Sequence, residues 1–494
     1  MMSERYVLAY DLGTSGVKAA LVTLQGEVTH TATTGYPLYT PQTNWAEQDP
    51  ELYWQGVCTA TREVLAKADL DPSLISGLSL GTMWKGIVPL NKDGKVLHNS
   101  IIWLDARAED QARRLNEHFG KELFVSSDYW PKLMWLRENR PEVLEEAVVV
   151  LETNSYLKWK ATGNMAVDIS NSFLRSFDPE LDQFYSDYLE FIDIPKEKIP
   201  PFVKAEDLVG HITDSAAAEM GLVAGIPVFG GCNDIQAIAV GSGCSDIGGV
   251  HMYFGSSGWV GYSLPHKVGD FYLSPFDYER DLSIYGMQAI GLSMNWVAYR
   301  LFAPEYAEKG DDVFRYIDSL VEEIPAGSCG ALATPWFYGE RAPMLGDDAR
   351  GNFLNLGPQH DRRHLARAIR EGVCYQLKMI SKRQTASKGF GLPEAVTVVG
   401  GGSCSGVWMQ MLANVLGRTI RVPYSPRHTG AVGVAYTALI GLGICEDYTD
   451  AARKIRYEHV YEPQADAVAV YEKGFAVFEQ LYTVLKPMFS AMNK

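Results

Sequence analysis

Apolar residues gather at the start of the chain in two short runs, Tyr6-Val7-Leu8-Ala9-Tyr10 and Val17-Lys18-Ala19-Ala20-Leu21-Val22-Thr23. Between them lies the turn-forming cluster Asp11-Leu12-Gly13-Thr14-Ser15-Gly16. Strand-prone runs flanking such a cluster predict a hairpin. The pattern returns about half the chain later, where apolar residues flank Gly255-Ser256-Ser257-Gly258. This repetition predicts a duplication: two similar halves, each opening with a hairpin whose turn could hold a phosphate. Between the hairpins, the spacing predicts helices over 49–65 and 106–119 and strands over 75–80 and 148–151. Residues 222–231 read as a buried strand ending in glycines. In the second half, a long helix over 364–388 precedes a strand over 395–399, a glycine cluster and a helix over 407–416. Strands alternating with helices imply an α/β fold with helices covering sheets. The domain boundary falls near Ile247, giving an N-terminal domain over 1–247 and a C-terminal domain over 248–494.

Composition narrows the partners. With 47% apolar and 21% charged residues, the chain of 494 residues is globular. Its net charge of -16 repels nucleic acid and anionic lipid, so neither is expected as a partner, while a local basic pocket for a phosphate is still compatible. The apolar stretches are glycine-broken and too short for a membrane span. Seven cysteines with no CxxC spacing point to reduced thiols, and the first residues enter a strand without an apolar signal core. Both features lead to the expectation of a cytoplasmic protein.

Four segments carry candidate chemistry. In the first hairpin, glycines allow close backbone approach, Thr14 and Ser15 offer hydroxyls and amides to phosphate oxygens, and Lys18 offers a positive charge. Asp11, at the end of an apolar strand, could orient magnesium. An ordinary glycine-rich turn is the plainer account, but a second hydroxyl-lined turn at Gly255 and Ser256 is what a clamp on one nucleotide requires. Val398-Val399-Gly400-Gly401-Gly402-Ser403-Cys404-Ser405-Gly406 runs from strand to helix and offers a flat backbone surface for an aromatic base. No GxxxxGK[ST] sequence occurs, which excludes a P-loop, and no GxGxxG follows the first strand. In Gly230-Gly231-Cys232-Asn233-Asp234, the last residue follows a buried strand and would project from the end of a sheet. Asp234 is the candidate general base for phosphoryl transfer to an alcohol, the alternative being a helix cap.

These four segments, in this order, resemble the FGGY family of carbohydrate kinases within the actin-like ATPase superfamily. Further matching stretches are Ser127 to Asn139, close to a family signature although Tyr129 departs from it, Gly339-Glu340-Arg341-Ala342-Pro343, Ala349-Arg350-Gly351, the stretch from Arg370 to Tyr375, and Gly430-Ala431-Val432-Gly433. The resemblance implies two actin-like, ribonuclease H-like α/β domains with ATP and a sugar in the cleft between them. It further implies that Asp11 and Asp234 face Mg2+, that Thr14, Ser15, Lys18, Gly255 and Ser256 hold the phosphates of ATP, that Gly401, Gly402 and Gly406 line the adenine, and that Asp234 is the base. Gly81-Thr82-Met83-Trp84-Lys85-Gly86 stands where xylulose kinases of the family read Gln-Met-His-Gly, and the stretch from Ile101 to Arg107 resembles their Trp-Asn-Asp-Gly-Arg. Met83, Trp84, Trp103 and Asp105 are therefore sugar-contact candidates, with core packing the alternative for the tryptophans. The activity implied is ATP-dependent phosphorylation of a hydroxyl on a small sugar, a ketopentose such as D-xylulose. Kinases of ribulose, gluconate or a glycerol-like polyol are alternatives, and a non-catalytic actin-like ATP-dependent switch is a rival of another class. Many family members are dimers, so a homodimer is left open.

Overall fold

The computed structural model describes residues 4–120, 124–171, 187–266, 273–340, 346 and 348–493. The chain divides into two compact units. The first takes in Met1–Asp246, Leu264–Leu282 and His428–Ile455, and the second Ile247–Ser263, Ser283–Arg427 and Arg456–Lys494.

In the first unit, the predicted hairpin is β1 (Tyr6–Gly13) against β2 (Gly16–Thr23), antiparallel from Tyr6↔Thr23 to Gly13↔Gly16, with β3 (Val28–Gly35) beyond β2. After helix α1 (Pro50–Ala68), β4 (Ile75–Thr82) lies parallel to β1. Helix α2 (Thr153–Thr162) precedes β5 (Leu208–His211), β6 (Pro227–Phe229) and β7 (Cys232–Asn233). The sheet order is β5-β6-β4-β1-β2-β3, and β7 extends the parallel edge of β4.

Both faces of this sheet are buried, which is why its central strands read as unbroken apolar runs. Leu8, Tyr10 and Leu12 with Val17, Ala19 and Leu21 pack under Tyr53, Val57, Ala60 and Val64 of α1, whose Asp49 side chain caps the helix. The opposite face, Val7, Ala9, Ala20 and Val22, packs against helices α3 (Asp234–Gly241) and α4 (Thr429–Gly441). These two helices touch backbone to backbone. A Cβ on Gly433 would lie 1.7 Å from the carbonyl oxygen of Ala237, and one on Gly241 would lie 2.0 Å from that of Thr429.

Two predicted elements shift. The helix expected over 106–119 begins at Glu109, because residues 105–107 are held in a turn described below. Only Pro227–Phe229 of the expected 222–231 strand is extended, since Gly221 ends a helix at φ 75° and Gly225 turns at φ 87°.

The second unit repeats the plan. Strand β8 (Val250–Phe254) pairs antiparallel with β9 (Gly258–Pro265), and β10 (Arg280–Met287) lies beyond. Strands β11 (Ala395–Val399) and β12 (Thr419–Pro423) follow in parallel on the other side, with β13 (Tyr457–Tyr461) antiparallel at the edge. Thus β10-β9-β8-β11-β12 in this unit matches β3-β2-β1-β4-β6 in the first. Long helices Arg362–Lys388 and Ala465–Met492 complete its layers. Among the described residues, no helix is long and apolar enough to cross a membrane.

Candidate functional site

Three parallel strands of the first unit end at one level. Leu12 of β1 pairs with Thr82 of β4, and Thr82 pairs in turn with Asn233 of β7. The residues at or next to these ends are Asp11, Met83 and Asp234, so one edge of the sheet gathers three of the predicted site residues. Carboxyl ends of parallel strands are where α/β sheets present ligand-binding groups.

Asp234 is the first residue of α3 and not its cap. The cap is Asn233, whose side chain accepts a hydrogen bond from the Gln236 amide at 2.8 Å. The Asp234 carboxyl, on a half-buried residue, accepts from the Ile235 amide at 3.0 Å. Burial, with the negative charge of Asp11 second, pushes its pKa up to about 7. The Asp11 carboxyl is also raised by burial, against the opposing pull of Lys18, its cross-strand neighbour on β2. Gly430 makes room for it, since a Cβ there would sit 2.9 Å from Asp11 Oδ2.

Two carboxylates sharing one site, each disfavoured as an anion, are matched to a divalent cation. Magnesium takes one or two carboxylates, keeps several waters and accepts phosphate oxygens for the rest. Among the described residues there is no cluster of three or more His, Cys, Asp or Glu able to hold a metal by itself. The donor set at Asp11 and Asp234 therefore fits a cation brought with a phosphate ligand.

The hairpin turn is braced from several sides. The carbonyl of Thr14 accepts from Gln48 Nε2 at 2.7 Å, the Tyr36 hydroxyl donates to the carbonyl of Gly13, and Trp103 Nε1 donates to Thr14 Oγ1 at 3.0 Å. Trp103, a sugar-contact candidate, is thus bonded to a phosphate-contact candidate. Ser15 is exposed. Met83 is buried, its amide bonded to the carbonyl of Leu12 at 2.8 Å. Trp84 is half-buried, with the Lys85 ammonium 4.8 Å from its ring centre.

Asp105 requires a correction. It is fully buried and both of its oxygens serve the protein: Oδ1 takes Arg107 Nε at 3.0 Å, and Oδ2 takes Arg107 Nη2 at 2.8 Å and the Ala46 amide at 2.6 Å. Arg107 also reaches Glu47 at 2.7 Å and lies over the Trp45 ring at 3.7 Å. With its acceptor capacity used, Asp105 fastens the 103–107 turn and does not face a sugar hydroxyl.

In the second unit, the Gly255 turn is held by the segment after β10. The Gly291 amide donates to the carbonyl of Gly255 at 2.9 Å, and the amides of Ile290 and Leu292 donate to the carbonyl of Ser256 at 3.0 Å. Gly400, at φ 94°, brings the glycine cluster against Phe254 at the end of β8. Gly401 and Gly402 lie in a tight turn over 401–404, and Gly401 has open space where a side chain would be. Gly406 begins the helix Gly406–Leu416, which Ser405 caps, and a Cβ on it would lie 3.1 Å from the Tyr461 hydroxyl. Of the motif from Gly339 to Pro343, residues 341–343 lie outside the described residues.

Sequence reasoning passed over Lys132, although it lies in a quoted signature. Fully buried, it donates to the carbonyls of Lys85 at 2.6 Å and Ile101 at 3.2 Å, tying the Trp84 loop to the Trp103 turn. Burial, with repulsion from Lys85 second, lowers its pKa to about 7. A lysine among apolar helix positions was the available signal.

The two repeated units form a two-domain α/β protein with an actin-like ATPase fold. Residues 6–241 match the N-terminal domain model of the FGGY family of carbohydrate kinases, and residues 251–442 match its C-terminal domain model. The chain belongs to the FGGY family and is a carbohydrate kinase. It is 29% identical to a xylulose kinase of Bacillus subtilis, covering 99% of both chains. It is also 29% identical to an L-xylulose/3-keto-L-gulonate kinase of Escherichia coli, covering 98% of this chain and 97% of that one. The crystal structure of a xylulose kinase from Rhodospirillum rubrum superposes with a TM-score of 0.82 at 28% identity, covering 98% of this chain and all of that one.

Proposed function

We propose that the protein transfers the γ-phosphoryl group of MgATP to a hydroxyl of a ketopentose, with D-xylulose as the first candidate. The observation that carries this is the half-buried Asp234 carboxyl at the end of the parallel sheet, poised near neutrality beside Asp11. In this assignment Asp234 accepts the proton of the attacking sugar hydroxyl, so that the new O–P bond forms as the bond to ADP breaks. Thr14, Ser15, Lys18, Gly255 and Ser256 hold phosphate oxygens, and Gly401, Gly402 and Gly406 line the adenine. Asp11 and Asp234 would hold magnesium together with the phosphates, and the ion would supply charge neutralisation at the triphosphate. Met83, Trp84 and Trp103 face the sugar. The names of the relatives from Bacillus subtilis and Rhodospirillum rubrum support xylulose. ATP and the sugar meet in the cytoplasm, where the protein is assigned.

A sugar acid is the second candidate, on one specific ground. The Escherichia coli relative is named for a keto acid as well as a ketose, and Trp84, in place of the xylulose-kinase His, lies 4.8 Å from the ammonium of Lys85, which pairs with Asp128 at 2.5 Å.

A coupled assay of ADP release across C3 to C7 ketoses, polyols and sugar acids tests both. Release strongly dependent on D-xylulose supports the first candidate, and release dependent on an acid supports the second. Release without any sugar dependence favours an ATP-driven switch. Asp234→Asn should lower kcat by at least about a hundredfold; parental turnover in this variant removes the base assignment.

A further inference from the structure

The corner that carries Asp234 is held by a buried ionic chain. From α2, Lys158 Nζ donates to the carbonyl of Gly230 at 2.7 Å, and one helical turn earlier Asn154 Nδ2 donates to the carbonyls of Leu80 at 2.7 Å and Cys232 at 3.3 Å. Lys158 lies 3.5 Å from Asp168, and both side chains have no exposed surface. The Asp168 carboxylate accepts from Ser170 Oγ at 2.6 Å and from Asn171 Nδ2 at 2.8 Å. Ser170 Oγ in turn accepts the Asn233 amide at 2.7 Å, and the carbonyl of Ser170 accepts from Asn233 Nδ2 at 2.7 Å. Asn233 is the cap of α3, so the chain runs from Lys158 through Asp168 and Ser170 to the residue before Asp234.

For stability alone, two well-packed apolar side chains would serve as well as a desolvated ion pair. A salt bridge with hydrogen bonds at both ends instead fixes direction. Here it fixes the Gly230 carbonyl at one end of a four-residue corner and the Asn233 amide at the other. That corner cannot be held by bulk, because a Cβ on Gly230 would lie 2.1 Å from the carbonyl oxygen of Lys204, and one on Gly231 would lie 2.2 Å from that of Leu80.

We infer that Lys158 and Asp168 are positioning residues for Asp234, setting the carboxylate against the acceptor hydroxyl through Ser170 and Asn233. This rests on the kinase function proposed above and deepens it. Misplacing a reacting group by about 1 Å can cost on the order of a hundredfold in rate, so a loosened corner shows in kcat before it shows in binding.

The test compares Lys158→Met, Asp168→Leu, the double variant and Asp234→Asn, each assayed for kcat, both KM values and thermal unfolding. The single variants strand one buried charge, and their melting temperatures fall. The double variant removes both charges; it recovers most of the melting temperature while kcat stays at least about tenfold low and both KM values stay within about twofold. A double variant with parental kcat, or a loss carried in KM, overturns the positioning role while an inactive Asp234→Asn leaves the kinase assignment standing. An active Asp234→Asn brings both down. If the double variant does not fold, Ser170→Ala decides: reduced kcat in a folded protein supports the role, and unchanged kcat overturns it.

Discussion

At Asp234, two consequences of one electrostatic situation have opposite signs. A general base acts as the anion, so activity should fall as pH drops through the pKa of about 7. With both substrates well below saturation, so that the free enzyme titrates, turnover should rise with a one-proton slope and level off above about pH 7. A limb below pH 5 would show that burial and Asp11 do not govern the group. Stability runs the other way. The folded pKa lies above the ordinary carboxylate value of 3.8, so the folded state holds the proton more tightly than the unfolded one. The stabilisation linked to that proton is full below 3.8 and is lost as pH rises through about 7. Asp234→Asn, which never ionises, should therefore melt a few degrees higher than the parent at pH 8, at about 2–4 °C per kcal/mol, with the gain shrinking toward pH 5. A gain that does not shrink toward pH 5 in unfolding curves without added magnesium would show that the surroundings do not raise this carboxyl.

At the level of elements, α4 shows how glycine spacing sets a site. Gly433 lets it meet α3 at backbone distance, and Gly430 leaves room for Asp11. The two positions should respond differently to a methyl group. Gly433→Ala faces the backbone carbonyl of Ala237 at 1.7 Å, which no rotamer relieves, and should cost about 3 kcal/mol or more, read as a large drop in melting temperature. Gly430→Ala faces the end of a side chain at 2.9 Å, which can turn away. It should fold with a small loss of stability yet lose several-fold in ATP-dependent turnover, because Asp11 moves. Equal stability losses at the two positions would contradict this. The sequence shows that Gly430-Ala431-Val432-Gly433 matters but not which carboxylate it serves, since α4 is buried on every side and its pattern names no partner sheet. The same limit applies to Asp105. Its spacing from Trp103 is visible in the chain, but its commitment to Arg107 depends on Ala46 and Glu47, more than fifty residues earlier.

Across the whole molecule, the duplication legible in two glycine-serine tetrapeptides extends to matching strand orders, because alternating apolar runs and turn residues encode hairpins directly. What the chain could not show is that the two turns are unequal in their surroundings. A Cβ on Gly13 meets nothing nearer than the carbonyl oxygen of Gly16 at 4.0 Å, whereas one on Gly255 would lie 2.4 Å from the Tyr253 ring. Gly13 is thus free of packing demand, and under the proposed nucleotide role its lack of a side chain would serve the close approach of a phosphate to the backbone. At Gly255 the position is crowded by the Tyr253 ring, which is stacked on Trp259 at 4.2 Å between ring centres. Gly13→Ala should accordingly leave the melting temperature within about 1 °C of the parent while raising the KM for ATP about fivefold or more and leaving the sugar KM nearly unchanged. Gly255→Ala should lower the melting temperature by several degrees, in keeping with about 1–3 kcal/mol of overpacking, besides weakening ATP. Calorimetric titration of both variants with ATP and with sugar separates the effects. A Gly13→Ala protein that binds ATP at parental strength would show that the first turn is a hairpin and nothing more, and the phosphate-holding role would then pass to the second unit alone.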